Sequence, residues 1–161
     1  MEARLATKLL KSHPMDGDEH DDRSSLLIRV LVIEDHEPFR RLLCSTLESR
    51  PELRVIGEVS DGLAAVNRSN ELQPDLIVLD IGLPSLNGIE VARRVRKLSS
   101  QSRILFVSLE SSTAVIREAL ETGAHGYIVK IDAGRDFLDG VDAVLRGEQF
   151  VSSRVSGFLA A

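Results

Sequence analysis

Short β-branched runs alternate with longer segments of helical period from Leu26 onward, and few architectures accommodate that rhythm. The runs are Ile28 to Ile33, Leu53 to Val59, Leu76 to Leu79, Ile104 to Val107 and Tyr127 to Val129. Between the first two, Phe39, Leu42, Leu43, Thr46 and Leu47 follow the i, i+3, i+4, i+7, i+8 spacing of a helix with one buried stripe, and Pro38 suits its first turn. Val91, Val95 and Leu98 form a second stripe, Ile116, Ala119 and Leu120 a third, and Phe137, Val141, Val144 and Leu145 a fourth. The segment Leu63 to Leu72 contains the poor helix formers Asn67, Ser69 and Asn70, and offers Leu63 and Val66 to a sheet. Five strands alternating with five helices predict a doubly wound α/β domain with a parallel sheet.

The 161 residues suit one such domain with room for extensions. Residues 1–25 read as a disordered acidic leader, because Asp16-Gly17-Asp18-Glu19-His20-Asp21-Asp22 has no apolar periodicity. The domain is expected over 26–147, with 148–161 as a C-terminal tail or truncated linker. A net charge of -5 argues against nucleic-acid binding, which needs a surplus of Lys and Arg. The lone Cys44 forbids an internal disulfide and favours a reducing compartment. No apolar run is long enough for a membrane span, so a cytoplasmic protein is expected.

In doubly wound folds the chemistry lies beyond the carboxyl ends of the strands. The first run ends in Glu34-Asp35, the third in Asp80, the fourth in Ser108 and the fifth in Lys130. Parallel strands bring these five residues to one edge, although an acid after a strand, taken alone, is usually just a loop start or a helix cap. Two carboxylates about 4 Å apart repel by roughly 4 kcal/mol at an effective dielectric of 20, so three together need a cation. Hard oxygen donors, few of them from protein, favour Mg²⁺, which also takes phosphate oxygens. A carboxylate held ionised beside that ion and an ammonium can attack a phosphoryl group.

These residues sit in segments that resemble a response-regulator receiver domain. They are Val30-Leu31-Val32-Ile33-Glu34-Asp35-His36, Pro74-Asp75-Leu76-Ile77-Val78-Leu79-Asp80-Ile81-Gly82-Leu83-Pro84, Asn87-Gly88, Ile104 to Ser108, and Gly123-Ala124-His125-Gly126-Tyr127-Ile128-Val129-Lys130. The resemblance covers about residues 28–146. It implies a five-stranded sheet of flavodoxin-like order 2-1-3-4-5 in a single domain, with Asp80 as phosphoacceptor. It also implies Asp35 as a direct Mg²⁺ ligand, Glu34 as one through water and the Gly82 carbonyl as another. Ser108 and Lys130 would grip the phosphoryl oxygens, and Tyr127 would be the aromatic that rotates inward on activation.

The Gly-Ala-His-Gly-Tyr wording, with Phe150 to Arg154, is most similar to the NarL/FixJ (LuxR-type) class, whose members usually continue into a helix-turn-helix domain. No such domain follows here, so direct DNA binding by this chain is not expected. The implied partners are a sensor histidine kinase as phosphoryl source and a downstream protein that reads the face around Ile116, the last strand and Phe137. A homodimer through the first and last helices is a further expectation. Two residues depart from the usual pattern. Ile131 stands where many receivers carry a cis proline, and a trans bond is expected there. Leu109 is bulkier than the usual Ala or Gly and, with Glu110, predicts a narrowed path to Asp80 and slow or selective dephosphorylation. The rivals are an FMN carrier, disfavoured by acids where a phosphate loop needs glycine or hydroxyls, and a phosphorylation-independent scaffold.

Overall fold

The computed structural model describes residues 27–160, so the leader expected over 1–25 lies outside the described residues. Strands β1 (Ile28–Ile33), β2 (Leu53–Val59), β3 (Leu76–Leu79), β4 (Arg103–Ser108) and β5 (Gly126–Val129) alternate with helices α1 (Glu37–Glu48), α2 (Gly62–Leu72), α3 (Gly88–Leu98), α4 (Thr113–Glu121) and α5 (Ala133–Leu145). A 3-10 turn (Lys130–Asp132) joins β5 to α5. All strand pairs are parallel, and the sheet order is β2-β1-β3-β4-β5-β6.

Period-two alternation divides the core between the two faces of the sheet. Leu31, Ile33, Ile77, Leu79, Phe106 and Tyr127 pack with residues of α2, α3 and α4. Val30, Val32, Val78, Leu105 and Ile128 pack with Leu43, Leu47, Phe137 and Val141 of α1 and α5. The central strands are buried on both sides, which is why they read as continuous apolar runs.

α2 forms despite its composition. Asp61 caps it by accepting from the Ala64 amide at 2.9 Å, and the buried Ser69 hydroxyl donates to the Ala65 carbonyl at 2.7 Å. Its sheet-facing residues are Ala65, Val66 and Ser69, not Leu63, which is exposed. Leu42 and Leu98 also point outward, so three leucines assigned to buried stripes belong to the surface. No cis peptide occurs among the described residues, as expected for Ile131.

The sheet has a sixth, short strand that the five-strand expectation omits, and packing runs past residue 147, where a tail was expected. β6 (Phe150–Val151) pairs with β5, and α6 (Ser153–Ala160) follows it. Ser152 anchors the segment by accepting from the Val129 amide at 3.0 Å through its hydroxyl, and Val155 is buried in the core. A two-residue strand carries too little periodicity to be seen in sequence.

His125, which precedes β5, is structural. Its Nδ1 accepts from the Ile104 amide at 3.1 Å. Burial, with Arg96 and Arg103 nearby, lowers its pKa from 6.5 to about 4. Because the unfolded ring takes a proton that the folded ring refuses, His125's contribution to stability is present above pH 6.5 and is lost as pH falls toward 4. The drop in thermal midpoint from pH 7 to pH 5 is therefore expected to be smaller in His125→Asn, which offers an acceptor that does not titrate, than in the parent. An equal drop in both would refute this account.

Candidate functional site

The parallel register aligns Ile33 with Leu79 and Leu79 with Phe106, so the residues that follow β1 and β3 emerge side by side at the carboxyl edge. Glu34 and Asp80 are buried there, while Asp35 is exposed. One carboxylate oxygen from each of the three lies within 4.8 Å of the others. Lys130 reaches the same place from the end of β5. Its Nζ donates to Glu34 Oε1 at 2.5 Å and to Asp80 Oδ2 at 3.0 Å, and lies 4.7 Å from the centre of the Phe39 ring. Asp80 Oδ1 accepts from the Ile81 amide at 2.7 Å. Ser108 is buried at the end of β4, and its Oγ accepts from the Glu110 amide at 3.4 Å. Four of the strand-end residues named from sequence thus meet through the acidic cluster and its lysine. Ser108 and the exposed Gly82 line the same cleft of about 1070 Å³.

Tyr127 is already inside. Its ring is fully buried beside Phe106, with centroids 5.9 Å apart, and its hydroxyl donates to the Glu110 carbonyl at 2.7 Å. Burial pushes the phenol upward from its usual range.

The electrostatics show a pocket short of positive charge. Burial, followed by the adjacent Asp80 carboxylate, raises Glu34 from 4.5 to about 8. Burial also opposes ionisation of Asp80, but the Glu34 carboxyl and Lys130 outweigh it and hold Asp80 below its usual value. Burial likewise works against the Lys130 charge, and the two acids overcome it and raise the ammonium's pKa. Ionisation is thus favoured at Asp80 and opposed at Glu34. Glu34 Oε2 is buried with no hydrogen-bond partner among the described residues. An all-oxygen donor set with an unsatisfied buried acceptor fits a hard divalent cation such as Mg²⁺, whose charge would replace Glu34's proton.

Three contributors were not legible as site residues. Phe39, read as core, flanks the lysine. Arg40 donates to the Glu34 carbonyl at 2.9 Å and so braces the end of β1. Gly88, read only as a convenient helix start, brings the α3 backbone against the Asp80 carbonyl, where a Cβ would sit 1.9 Å from that oxygen. The cue for it lay in Asn87-Gly88, since Asn87 caps α3 by accepting from the Glu90 amide at 3.1 Å and the following residue must approach the β3 end closely.

A doubly wound sheet that gathers three carboxylates, a lysine and a hydroxyl at its carboxyl edge defines a class of domains built to hold cations and phosphoryl groups there. Within that class, the response regulator receiver domain matches residues 30–141, and the chain belongs to this family. It is 34% identical over 131 residues to the transcriptional regulatory protein LiaR of Bacillus subtilis, covering 81% of this chain and 62% of LiaR. It is 32% identical over 132 residues to the nitrate/nitrite response regulator protein NarL of Escherichia coli, covering 82% of this chain and 61% of NarL. The crystal structure of a LuxR-family two-component response regulator from Aurantimonas superposes with a TM-score of 0.79 at 29% identity, covering 83% of this chain and 96% of that one. The chain therefore spans about three fifths of the length of these curated relatives. No helix among the described residues is long and apolar enough to cross a membrane.

Proposed function

We propose that Asp80 accepts a phosphoryl group from a sensor histidine kinase and that the modified protein changes its affinity for a downstream protein. The observation that carries this is the state of Asp80: a buried carboxylate, held ionised beside an ammonium 3.0 Å away, at the floor of an open cleft. One Asp80 oxygen forms a bond to phosphorus as the bond from phosphorus to the donor imidazole nitrogen breaks. The nitrogen keeps that electron pair and takes a proton from solvent. Lys130 and Ser108 hold the equatorial oxygens. Glu34, Asp35, Asp80 and the Gly82 carbonyl would hold Mg²⁺, which supplies charge neutralisation for the transfer. The event modifies the protein itself and releases no turned-over substrate, so the domain acts as a switch.

If the new bonds to Ser108 and Lys130 contribute about 1.5 to 3 kcal/mol each, together they can shift a two-state equilibrium by roughly a hundredfold or more before reorganisation. Tyr127 is the element through which that shift would spread, because its hydroxyl ties β5 to the loop after Ser108. Incubation with acetyl phosphate and Mg²⁺ is expected to add one phosphoryl group per chain by intact mass, and chelation by EDTA to prevent it. An unchanged mass with both reagents present would favour the scaffold reading.

A further inference from the structure

Two non-glycine residues among the described residues have a backbone in the left-handed region, Gln73 and Ser85. Gln73 ends α2, where that conformation is common. Ser85 lies in mid-loop between β3 and α3, at φ 70°, a place that glycine would fill without strain. What the serine adds is a hydroxyl. It donates to Asp61 Oδ2, while Asp61 Oδ1 accepts from the Ala64 amide to cap α2. The Ser85 hydroxyl first, and the Ala64 amide second, hold the Asp61 carboxyl below its usual range, so an anion receives the bond.

The backbone beside Ser85 meets the same helix end. The Gly62 amide donates to the Pro84 carbonyl at 3.0 Å, and a Cβ on Gly62 would sit 1.9 Å from the Leu86 carbonyl oxygen. Residues 84–86 are therefore seated on the start of α2. Closer to β3, the Leu83 and Gly88 amides both donate to the Ile81 carbonyl, at 2.9 and 2.8 Å. Gly82 stands between these anchors with little support of its own. It is exposed, a Cβ there would meet nothing within 4 Å, and its amide lies 3.4 Å from Asp80 Oδ1. The setting of its peptide then depends on how the loop is pinned on either side.

We propose that Asp61 and Ser85 are positioning residues for the cation: the bond between them ties the loop after Asp80 to α2 and so keeps the Gly82 carbonyl ready for Mg²⁺. The inference rests on the proposed cation site of Glu34, Asp35, Asp80 and the Gly82 carbonyl. Mg²⁺ gives up its water reluctantly and demands near-ideal ligand geometry, so a loop that had to be ordered at the moment of binding would weaken affinity without removing a ligand. The hydroxyl bond offsets the backbone strain at Ser85, which has no other evident use on an exposed loop.

Titration of the isotope-labelled full chain with Mg²⁺, followed by backbone amide shifts, gives the dissociation constant with no phosphodonor present. Ser85→Gly suits the backbone better but lacks the hydroxyl, and is expected to bind Mg²⁺ about fivefold more weakly. Asp61→Ser should do the same, since the shorter side chain still caps α2 but no longer reaches Ser85. The double variant should be no weaker than either single one, because both changes remove one bond. Ser85→Asn tolerates the left-handed backbone and carries an amide donor for Asp61, so it should return affinity to within about twofold of the parent. In acetyl phosphate labelling, the Mg²⁺ concentration that gives half the maximal rate should rise in Ser85→Gly by the same factor as the dissociation constant. Ser85 is exposed, so folding should survive, and urea midpoints check this. Parental affinity in Ser85→Gly overturns the inference, as does additive weakening in the double variant, or a Ser85→Asn chain as weak as Ser85→Gly. A parent whose amides ignore Mg²⁺ overturns it together with the cation reading, whereas parental shifts that persist unchanged in the variants remove the Asp61–Ser85 role alone.

Discussion

Asp80→Asn will gain no phosphoryl group at any acetyl phosphate concentration, while keeping the parent's near-UV circular dichroism. The amide is nearly isosteric and can still accept from the Ile81 amide, so the loop after β3 stays in place. What disappears is the anionic nucleophile, and no neighbour replaces it. Glu34 is already bonded to Lys130 and would be engaged by the cation in the labelling mixture. Asp35 is exposed and lies outside the short contacts that Lys130 makes. The same change lowers Glu34 from about 8, because the Asp80 carboxylate is the second cause of its elevation after burial.

That linkage has a definite sign. Without a divalent cation, burial and Asp80 raise Glu34 from 4.5 to about 8 in the folded parent, so this contribution to stability is full below 4.5 and is lost as pH rises through about 8. In Asp80→Asn the window narrows from its upper end, and urea midpoints at pH 6 and pH 8 should differ less than in the parent. Phosphoryl labelling of Asp80→Asn at the parental rate would remove Asp80 from the mechanism.

The largest loss of stability is expected at Gly88→Ala, at about 3 kcal/mol or more. A Cβ there would lie 1.9 Å from the Asp80 carbonyl oxygen, and 2.8 Å from both the Asp80 carbonyl carbon and the Ile81 Cα. All three are backbone atoms in a segment pinned by two amides, with Asp80 donating to Ile33 and Gly88 to Ile81. No side chain can rotate away, so either α3 or the end of β3 must move. Urea denaturation should show the reduced midpoint. Acetyl phosphate labelling should slow as well, because the displaced peptide carries the phosphoacceptor. Gly134→Ala in α5 is the control: its Cβ meets nothing within 4 Å, and removing a helical glycine should be neutral or stabilising by up to about 1 kcal/mol. Equal effects at the two sites would refute the contact argument.

The acids were legible because strand ends in a parallel sheet share an edge, so residue type and order along the chain sufficed to gather Glu34, Asp35, Asp80 and Lys130. The strands themselves were legible from β-branched runs, and β1, β2 and β3 fall at the residues read from sequence. Helical stripes were less exact. Leu42, Leu63 and Leu98 satisfy the spacing yet face outward, since a 3.6-residue period marks an arc of the helix and cannot say where a neighbour's surface ends.

Sequence alone thus determined the alternation of the first five strands with five helices, the residue types at the edge and the family, because those depend on local periodicity and on which residues follow each strand. Tertiary structure alone decided that Glu34 is pushed upward while Asp80 is held low, that Tyr127 lies inward, that Gly88 touches the Asp80 peptide, that β6 extends the sheet, and that three exposed apolar residues line the cleft. The physical reason is that each of these is set by distances of a few ångströms between segments remote in the chain, where burial and close packing act and no local pattern records them.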